Sequence, residues 1–434
     1  MSSSNQQDQH DQKQKQKQDH HQKQQKHAII CAGLNCLDLQ LLGCTKSDQE
    51  EAIEQYEQAV YCAGGSASMT ATTLSQIITA DNSSTSTEIY IVTKLGRDPQ
   101  ADILLDFYHK ANINTSLVLQ KASAATALSV LPIFKTTGGR GCFFNLASNR
   151  TFDKHEMIQQ LQNWHTINST TTTVDAFLFG YPHLMPLLQG EHLKDVLCHV
   201  KESFGGNDVI IGVDLNGVSR DNHSDSVLTP ALPFVDVLHL NEEEAEILSG
   251  TKKQDFFLHG HDEQALQDVC NLLHNQGCKI VLLSRGRKGC FISGRSQKKK
   301  RNTTTTQTVC QVPAIPIEDG KVNANGAGDA LFSGFCYVMT QTKSKSKNNL
   351  NLSLSLAQMG VFATLVARQR CNVETRDHPK YTAEDLLQLV LDVGTTTKYD
   401  NDDDDGVSLL YELKLPDDDK DSFSISVCEK QFAV

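Results

Sequence analysis

Six short apolar runs punctuate the chain: "HAIICAGL", "EIYIVTKLG", "DAFLFGY", "DVIIGVDLN", "VDVLHLN" and "KIVLLSRG". Each is rich in β-branched and aliphatic residues and closes near Gly, Asn or Asp, the pattern of a strand buried on both faces. Between them, apolar residues recur at helical spacing in "ASMTATTLSQII", "ADILLDFYHKAN", "GEHLKDVLCHVKESF", "EEEAEILSG" and "DEQALQDVCNLLHNQG". Strand and helix in alternation predict an α/β fold with a mostly parallel sheet covered on both faces. Ligands in such folds bind beyond the C-terminal ends of the strands. Asp38, Asp98, Asp214, Asn241 and Ser284 fall at or just after those ends and are the first candidates for chemistry.

Two regions break the rhythm. Segments 39–63 and 118–150, with "TALSVLPIF" and "RGCFFNLAS", alternate like strands and predict a small β-sheet standing off the main body. The polar stretches "DNSSTSTE", "NSTTTT", "KKKRNTTTTQT" and "TKSKSKNN" fall between elements as loop expansions. Residues 1–27, a Gln/His/Lys-rich stretch, hold almost nothing apolar after Met1 and are expected to be disordered. The body is then one domain over residues 28–398, followed by an acidic, flexible tail over 399–434. Within that tail only "VSLLYELKL" has the pattern of a strand.

A net charge of −12 argues against a general nucleic-acid binder. The basic run Lys298–Arg301 abuts a threonine tract and reads as a solvated insertion. Thirteen cysteines, an odd number with no CxxC pair, scatter through core-like segments and fit buried free thiols in a reducing compartment. No run of membrane-spanning length and no signal-peptide core is present, so the expectation is an intracellular, cytoplasmic protein without a membrane partner. No His/Cys pair has metal-ligand spacing, and neither a GK[ST] phosphate loop nor a strand-borne GxGxxG occurs.

The stretch "VNANGAGDALFSGF", Val322–Phe335, carries the strongest chemical signal. Gly326 and Gly328 permit conformations that side chains forbid, and a helix pattern follows at once. A glycine turn feeding a helix start aims unpaired N–H groups at one point, which suits an anion. Asp329 would repel that anion unless it takes a proton from a nucleophile. An aspartate N-cap after a glycine turn accounts for the same residues without chemistry.

In order and spacing, the landmarks resemble the ribokinase-like carbohydrate kinases, the PfkB family, over about Ala28 to Arg376. "AGLNCLDLQ" is similar to that family's first strand, ending in Asp38, and "CAGGSASMTATTLSQI" to its Gly-Gly helix entry. "VTKLGRDPQ", "HLNEEEAEIL", "LLSRGRKGCFI" and "NANGAGDALFSGF" match later landmarks. The resemblance implies a three-layer sandwich with a β-lid, formed by the two alternating segments, and transfer of the γ-phosphoryl group of ATP to a hydroxyl of a small sugar. It implies Asp329 as general base and Gly326, Ala327 and Gly328 as the anion hole. Asp38, Gly64, Gly65 and Asn149 would meet the acceptor. Ser284, Gly286, Gly289 and Asn241 would meet the nucleotide, with Asn241 and Glu244 holding Mg²⁺ through water. A homodimer through the lid is a further implied arrangement.

Three departures bear on these roles. Asn323 and Ala324 stand where the family writes Asp-Thr, near its monovalent-cation loop, which predicts a weak response to K⁺. Met69 stands where many members place a sugar-binding asparagine, and "RCNVETRDH" lacks the small Gly-Ala turn common late in the fold. A nucleoside acceptor, or a catalytically silent protein of the same fold, therefore stays open beside the sugar kinase.

Overall fold

The computed structural model describes residues 26–45, 53–79, 87–135, 141–215, 227–249, 262–297, 305–317, 322–347, 354–391, 395–400, 407–414 and 424–433. The start of the chain to residue 25 and the Lys298–Arg301 run lie outside the described residues. All six apolar runs form strands: β1 (Lys26–Gly33), β4 (Thr87–Leu95), β8 (Thr172–Gly180), β9 (Ile210–Asp214), β10 (Val237–Asn241) and β11 (Ile280–Ser284). With the short β5 (Val118–Gln120) they pair in parallel in the order β5-β4-β1-β8-β9-β10-β11.

Their alternating side chains feed two cores. Ile29, Cys31 and Ile91 face one side, where helices α1 (Ser66–Thr79), α2 (Pro99–Lys110), α8 (Ala327–Lys347), α9 (Leu356–Cys371) and α10 (Ala383–Leu391) pack. Ala28, Ile30 and Ala32 face the other, covered by α4 (Lys154–Asn168), α5 (Glu191–Ser203), α6 (Glu242–Ser249) and α7 (Asp262–Asn275). The result is the three-layer α/β sandwich that the alternation predicts. Helix α8 runs through "TKSKSK", which the sequence reading assigned to a loop.

Strands β2 (Cys36–Cys44), β3 (Gln58–Gly64), β6 (Leu128–Phe134) and β7 (Phe143–Asn145) form a separate four-stranded sheet in the order β3-β2-β6-β7. Asp38 lies inside β2, across from Cys62, and not at the end of β1, which stops at Gly33. The short connection Leu34–Asn35 redirects the chain into the small sheet, so the aspartate belongs to that sheet.

The C-terminal segment also departs from the expected tail. Beyond β11 the sheet continues antiparallel through β12 (Cys290–Gln297) and β13 (Thr305–Val312) into β16 (Ser424–Ala433), β15 (Val407–Lys414) and β14 (Thr395–Asp400). Val427 is buried, and the Glu429 carboxylate accepts the Ala357 N–H at 3.1 Å, near the start of α9. The acidic linkers dominate composition there, but the alternating stretches between them satisfy the open edge of β13.

Candidate active site

The C-terminal ends of the parallel strands meet the start of α8. Gly326 has φ +81°, and a Cβ there would come within 2.3 Å of Met69 Cε and 3.1 Å of Arg370 Nε. The turn therefore needs glycine for both its conformation and its neighbours. The Ala327 N–H turns back to Ala324 O at 3.1 Å, engaging one of the groups expected in the anion turn. Gly328 and Asp329 follow in the first turn of α8, at the positive end of its dipole.

Asp329 is buried, only 4 % exposed. Tyr181, just past β8 with a left-handed backbone (φ 60°), points its hydroxyl at both Asp329 oxygens, 3.3 and 3.4 Å away. A tyrosine in that conformation carries strain that surrounding structure must hold. Burial pushes the Asp329 carboxyl up to about 7, with a further push from the Asp214 charge; His239, the Tyr181 hydroxyl and Arg370 pull it down. A carboxyl near neutrality is suited to accept a proton at physiological pH.

Beneath the turn lies a second buried pair. His239 Nδ1 donates to Asp214 Oδ1 at 2.8 Å. The imidazole stacks over Phe332 at 6.0 Å, and a Cβ at Gly328 would lie 3.2 Å from its Cε1. Burial lowers the His239 imidazole, but Asp214, Glu244 and Asp329 together raise it above its ordinary range. Asp214 was visible as a polar strand end. His239 stood inside an apolar run, where a polar residue is the only signal it gave.

On the small-sheet side, Gly64 ends β3 directly over Asp38: a Cβ there would lie 2.3 Å from the carboxylate. Gly65, at φ +81°, would press its Cβ within 2.6 Å of Leu34 O. The Asp38 carboxylate also accepts from Cys36 Sγ at 3.2 Å. Asn149 is buried and uses its amide on the backbone of Asn35, accepting from Asn35 N at 3.3 Å and donating to Asn35 O at 2.8 Å. It holds the β1–β2 junction. Asp98 likewise caps α2 and accepts the Thr126 N–H at 2.7 Å.

The expected nucleotide-side residues gather at the ends of β10 and β11. Asn241, Glu242, Glu243, Glu246, Ser284, Arg285 and Gly286 line a cavity of about 390 Å³. Gly289 closes its turn with φ 91° against Val312 O, where a Cβ would lie at 2.0 Å. Asn241 and Glu244 bond each other across the start of α6: each backbone N–H donates to the other's side-chain oxygen at 2.9 Å. This reciprocal cap buries Glu244, which the sequence alone would leave exposed. Among the described residues no group of three His, Cys, Asp or Glu side chains is set to hold a metal directly. No helix among them is long and apolar enough to cross a membrane. Their cysteines are free, with Cys31, Cys36, Cys270 and Cys336 buried.

The family described as pfkB family carbohydrate kinase matches residues 6–374. A ribokinase of Staphylococcus aureus is 22% identical over 307 residues, covering 68% of this chain and 84% of that protein. A cytidine kinase of Thermococcus kodakarensis is 26% identical over 165 residues, 37% of this chain and 47% of its own length. Among solved structures, the ribokinase of Giardia lamblia superposes with a TM-score of 0.60 at 17% identity, over 85% of this chain and 98% of its own. The nucleoside kinase of Methanocaldococcus jannaschii gives 0.55 at 16%, over 85% and 99%. These two structural likenesses speak for the fold.

Proposed function

Because this chain belongs to the PfkB family of carbohydrate kinases, we propose that it transfers the γ-phosphoryl group of ATP to a hydroxyl of a small sugar, with Asp329 as the general base. The observation that carries this reading is the buried Asp329 at the start of α8, poised near neutral pH beside a positive-φ glycine. It accepts the hydroxyl proton as the oxygen attacks. Tyr181 orients it. The N–H groups of Gly326 and Gly328 and the helix dipole take up charge on the transferring oxygens, while the Ala327 N–H braces the turn against Ala324 O.

Asp38, over Gly64 and Gly65, is placed to accept hydrogen bonds from acceptor hydroxyls; Asn149 supports that corner through Asn35. Ser284, Gly286 and Asn241 give the nucleotide a cavity, and Gly289 closes the turn that follows Gly286. Three glutamates line that cavity, so a bare triphosphate would be repelled there. Hard carboxylate and amide oxygens fit Mg²⁺, with Asn241 and Glu244 acting through its waters while their mutual cap stays intact. When bound, Mg²⁺ neutralises the phosphate oxygens. In the loop before Gly326, the Asn323 amide oxygen accepts the Asn325 N–H at 3.1 Å and the Arg376 guanidinium donates to Asn325 O at 3.1 Å. A fixed cation already serves that loop, which supports a weak response to K⁺.

Met69, an apolar contact beside Gly326, favours a nucleoside acceptor as the second reading. ATP consumption with a panel of sugars and nucleosides separates the two readings. Turnover is expected with wild type and lost in Asp329→Asn. A chain that binds Mg–ATP yet phosphorylates no acceptor would be a silent member of the fold.

A further inference from the structure

Two arginines stand beside the catalytic turn; Arg376 braces Asn325 O, and the remaining donors of the pair have no role in the scheme above. Arg370 closes α9, and Arg376 lies in the loop that follows. That loop is tied to the approach to Gly326: Asn323 N donates to Cys371 O at 2.7 Å, and Val322 bridges Asn372. Arg370 Nε lies against the position of a Gly326 Cβ, and its Nη2 meets Met69 Sδ at 3.6 Å. Among the described residues its Nη1 meets Arg376 O at 3.4 Å and the Asp377 carboxylate at 3.9 Å, the latter on a side chain 74% exposed. Arg370 Nε and Arg376 Nη1 are buried without a protein hydrogen-bond partner among the described residues.

Two guanidiniums in one buried corner repel each other, and unpaired buried donors cost free energy. Burial, with the Arg376 charge behind it, lowers the Arg370 guanidinium against the Asp377 and Asp329 charges, which raise it. A phosphate or carboxylate suits the corner, because a guanidinium binds either in bidentate fashion. The corner's neighbours identify which molecule brings the anion. Met69 lies in the first turn of α1, its N–H donating to Gly65 O at 2.9 Å, and the charges of both arginines reach Cys62 on β3, which pairs with Asp38. Ser284, Gly286 and Asn241 line the separate cavity at the ends of β10 and β11.

We propose that Arg370 and Arg376 bind an anionic group carried by the acceptor itself, so that the substrate is a phosphorylated or acidic sugar or a nucleotide, and not a neutral one. Arg370 lies against Met69 and Gly326, and neither arginine lines the cavity at the ends of β10 and β11. The inference rests on the kinase reading for the identity of the acceptor side, but its test does not need turnover.

The test is calorimetric, on the full chain, with ribose and ribose 5-phosphate as the matched probes and Mg–ATP as the control. Ribose 5-phosphate is expected to bind more tightly than ribose. Arg370→Gln and, separately, Arg370→Lys are expected to reduce that preference, the glutamine variant by about 10- to 100-fold and the lysine variant by less, since lysine keeps the charge but loses the fork. Circular dichroism melting confirms that each variant is folded. If Arg370→Gln misfolds, Arg370→Lys alone decides, through a lowered preference or an unchanged one. Equal binding of the two probes to wild type overturns the proposal, as does a loss confined to Mg–ATP, which would assign the guanidiniums to nucleotide phosphates. Absence of phosphorylation of any acceptor would sink the kinase reading, while the binding comparison still decides the arginine pair.

Discussion

The two sides of the α8 N-terminus solve opposite electrostatic problems. On the inner side, Asp329, Asp214 and His239 share a dry space in which every charge is felt by its neighbours. On the outer side, Glu242, Glu243 and Glu246 face a cavity of about 390 Å³, with Arg285 donating to Glu242 at 2.8 Å. A carboxylate becomes a base near neutral pH by being buried beside another negative charge. One that lines a cavity can serve by attracting a cation. The same residue type thus takes different work from different solvation.

Replacement of the inner carboxylate tests this contrast most severely. Asp329→Asn is expected to lower phosphoryl transfer by ~10²–10⁴-fold, the loss typical of a general base. Its folded-state carboxyl is raised from 3.8 to about 7, so the folded chain holds that proton more tightly than the unfolded one. Stability from this group is therefore fully present at pH below 3.8 and is lost as pH rises through 7. The variant should melt higher than wild type at about pH 8 and alike at about pH 3.5. A melting difference that does not grow with pH would show that Asp329 is not held protonated by burial. In wild type the rate should fall as pH drops through about 7, where the base is lost.

Asp214→Asn comes next, with an expected stability loss of about 3 kcal/mol from leaving a buried imidazole without its counter-charge. The folded His239 is raised above its ordinary 6.5, so the pair stabilises most below that value and less as pH rises through the raised one. Chemical denaturation at acidic and alkaline pH should accordingly show the larger loss on the acid side. An equal loss at both would mean that His239 is neutral throughout.

Tyr181→Phe removes a hydrogen bond that favours the charged carboxylate. A loss of about 1 kcal/mol, or roughly threefold to tenfold in rate at neutral pH, is expected. The acid limb of the pH–rate profile should move upward. Movement downward would break the orientation assigned to the tyrosine.

The smallest effect belongs to Glu244, buried behind the outer cavity and not among its lining residues. Glu244→Gln keeps an acceptor for the Asn241 N–H, so the cap and the melting temperature should hold. Loss of one charge acting through water should raise KM for Mg–ATP by about two- to fivefold, the effect of ~0.5–1 kcal/mol. A large fall in kcat would move Glu244 from the outer to the inner category.

Much of this was legible before any coordinates. The six buried strands, their covering helices and the separate alternating segments follow from periodicity, because burial on one or two faces dictates which positions are apolar. Gly64, Gly65 and Gly326 were legible for the same local reason: each has a backbone placement that a side chain would obstruct. Asp329 was legible as a candidate, beside the plain reading of an aspartate capping a helix after a glycine turn. What composition concealed was the end of the chain, where acidic linkers masked three strands that complete the sheet.

The sequence by itself determined local matters: the layers, the glycine turn and the carboxylate in it. Only the tertiary structure decided what surrounds that carboxylate. Tyr181, Asp214, His239 and Arg370 come from four separate stretches of the chain, and no periodicity links them. Their effect on Asp329 depends on distance and on exclusion of water, which are properties of the packed interior and not of any segment. The same holds for Asn149 and Glu244, whose polar side chains hold backbone groups of Asn35 and Asn241. A donor's partner is chosen by what folding brings within 3 Å or so of it, and that choice is made last.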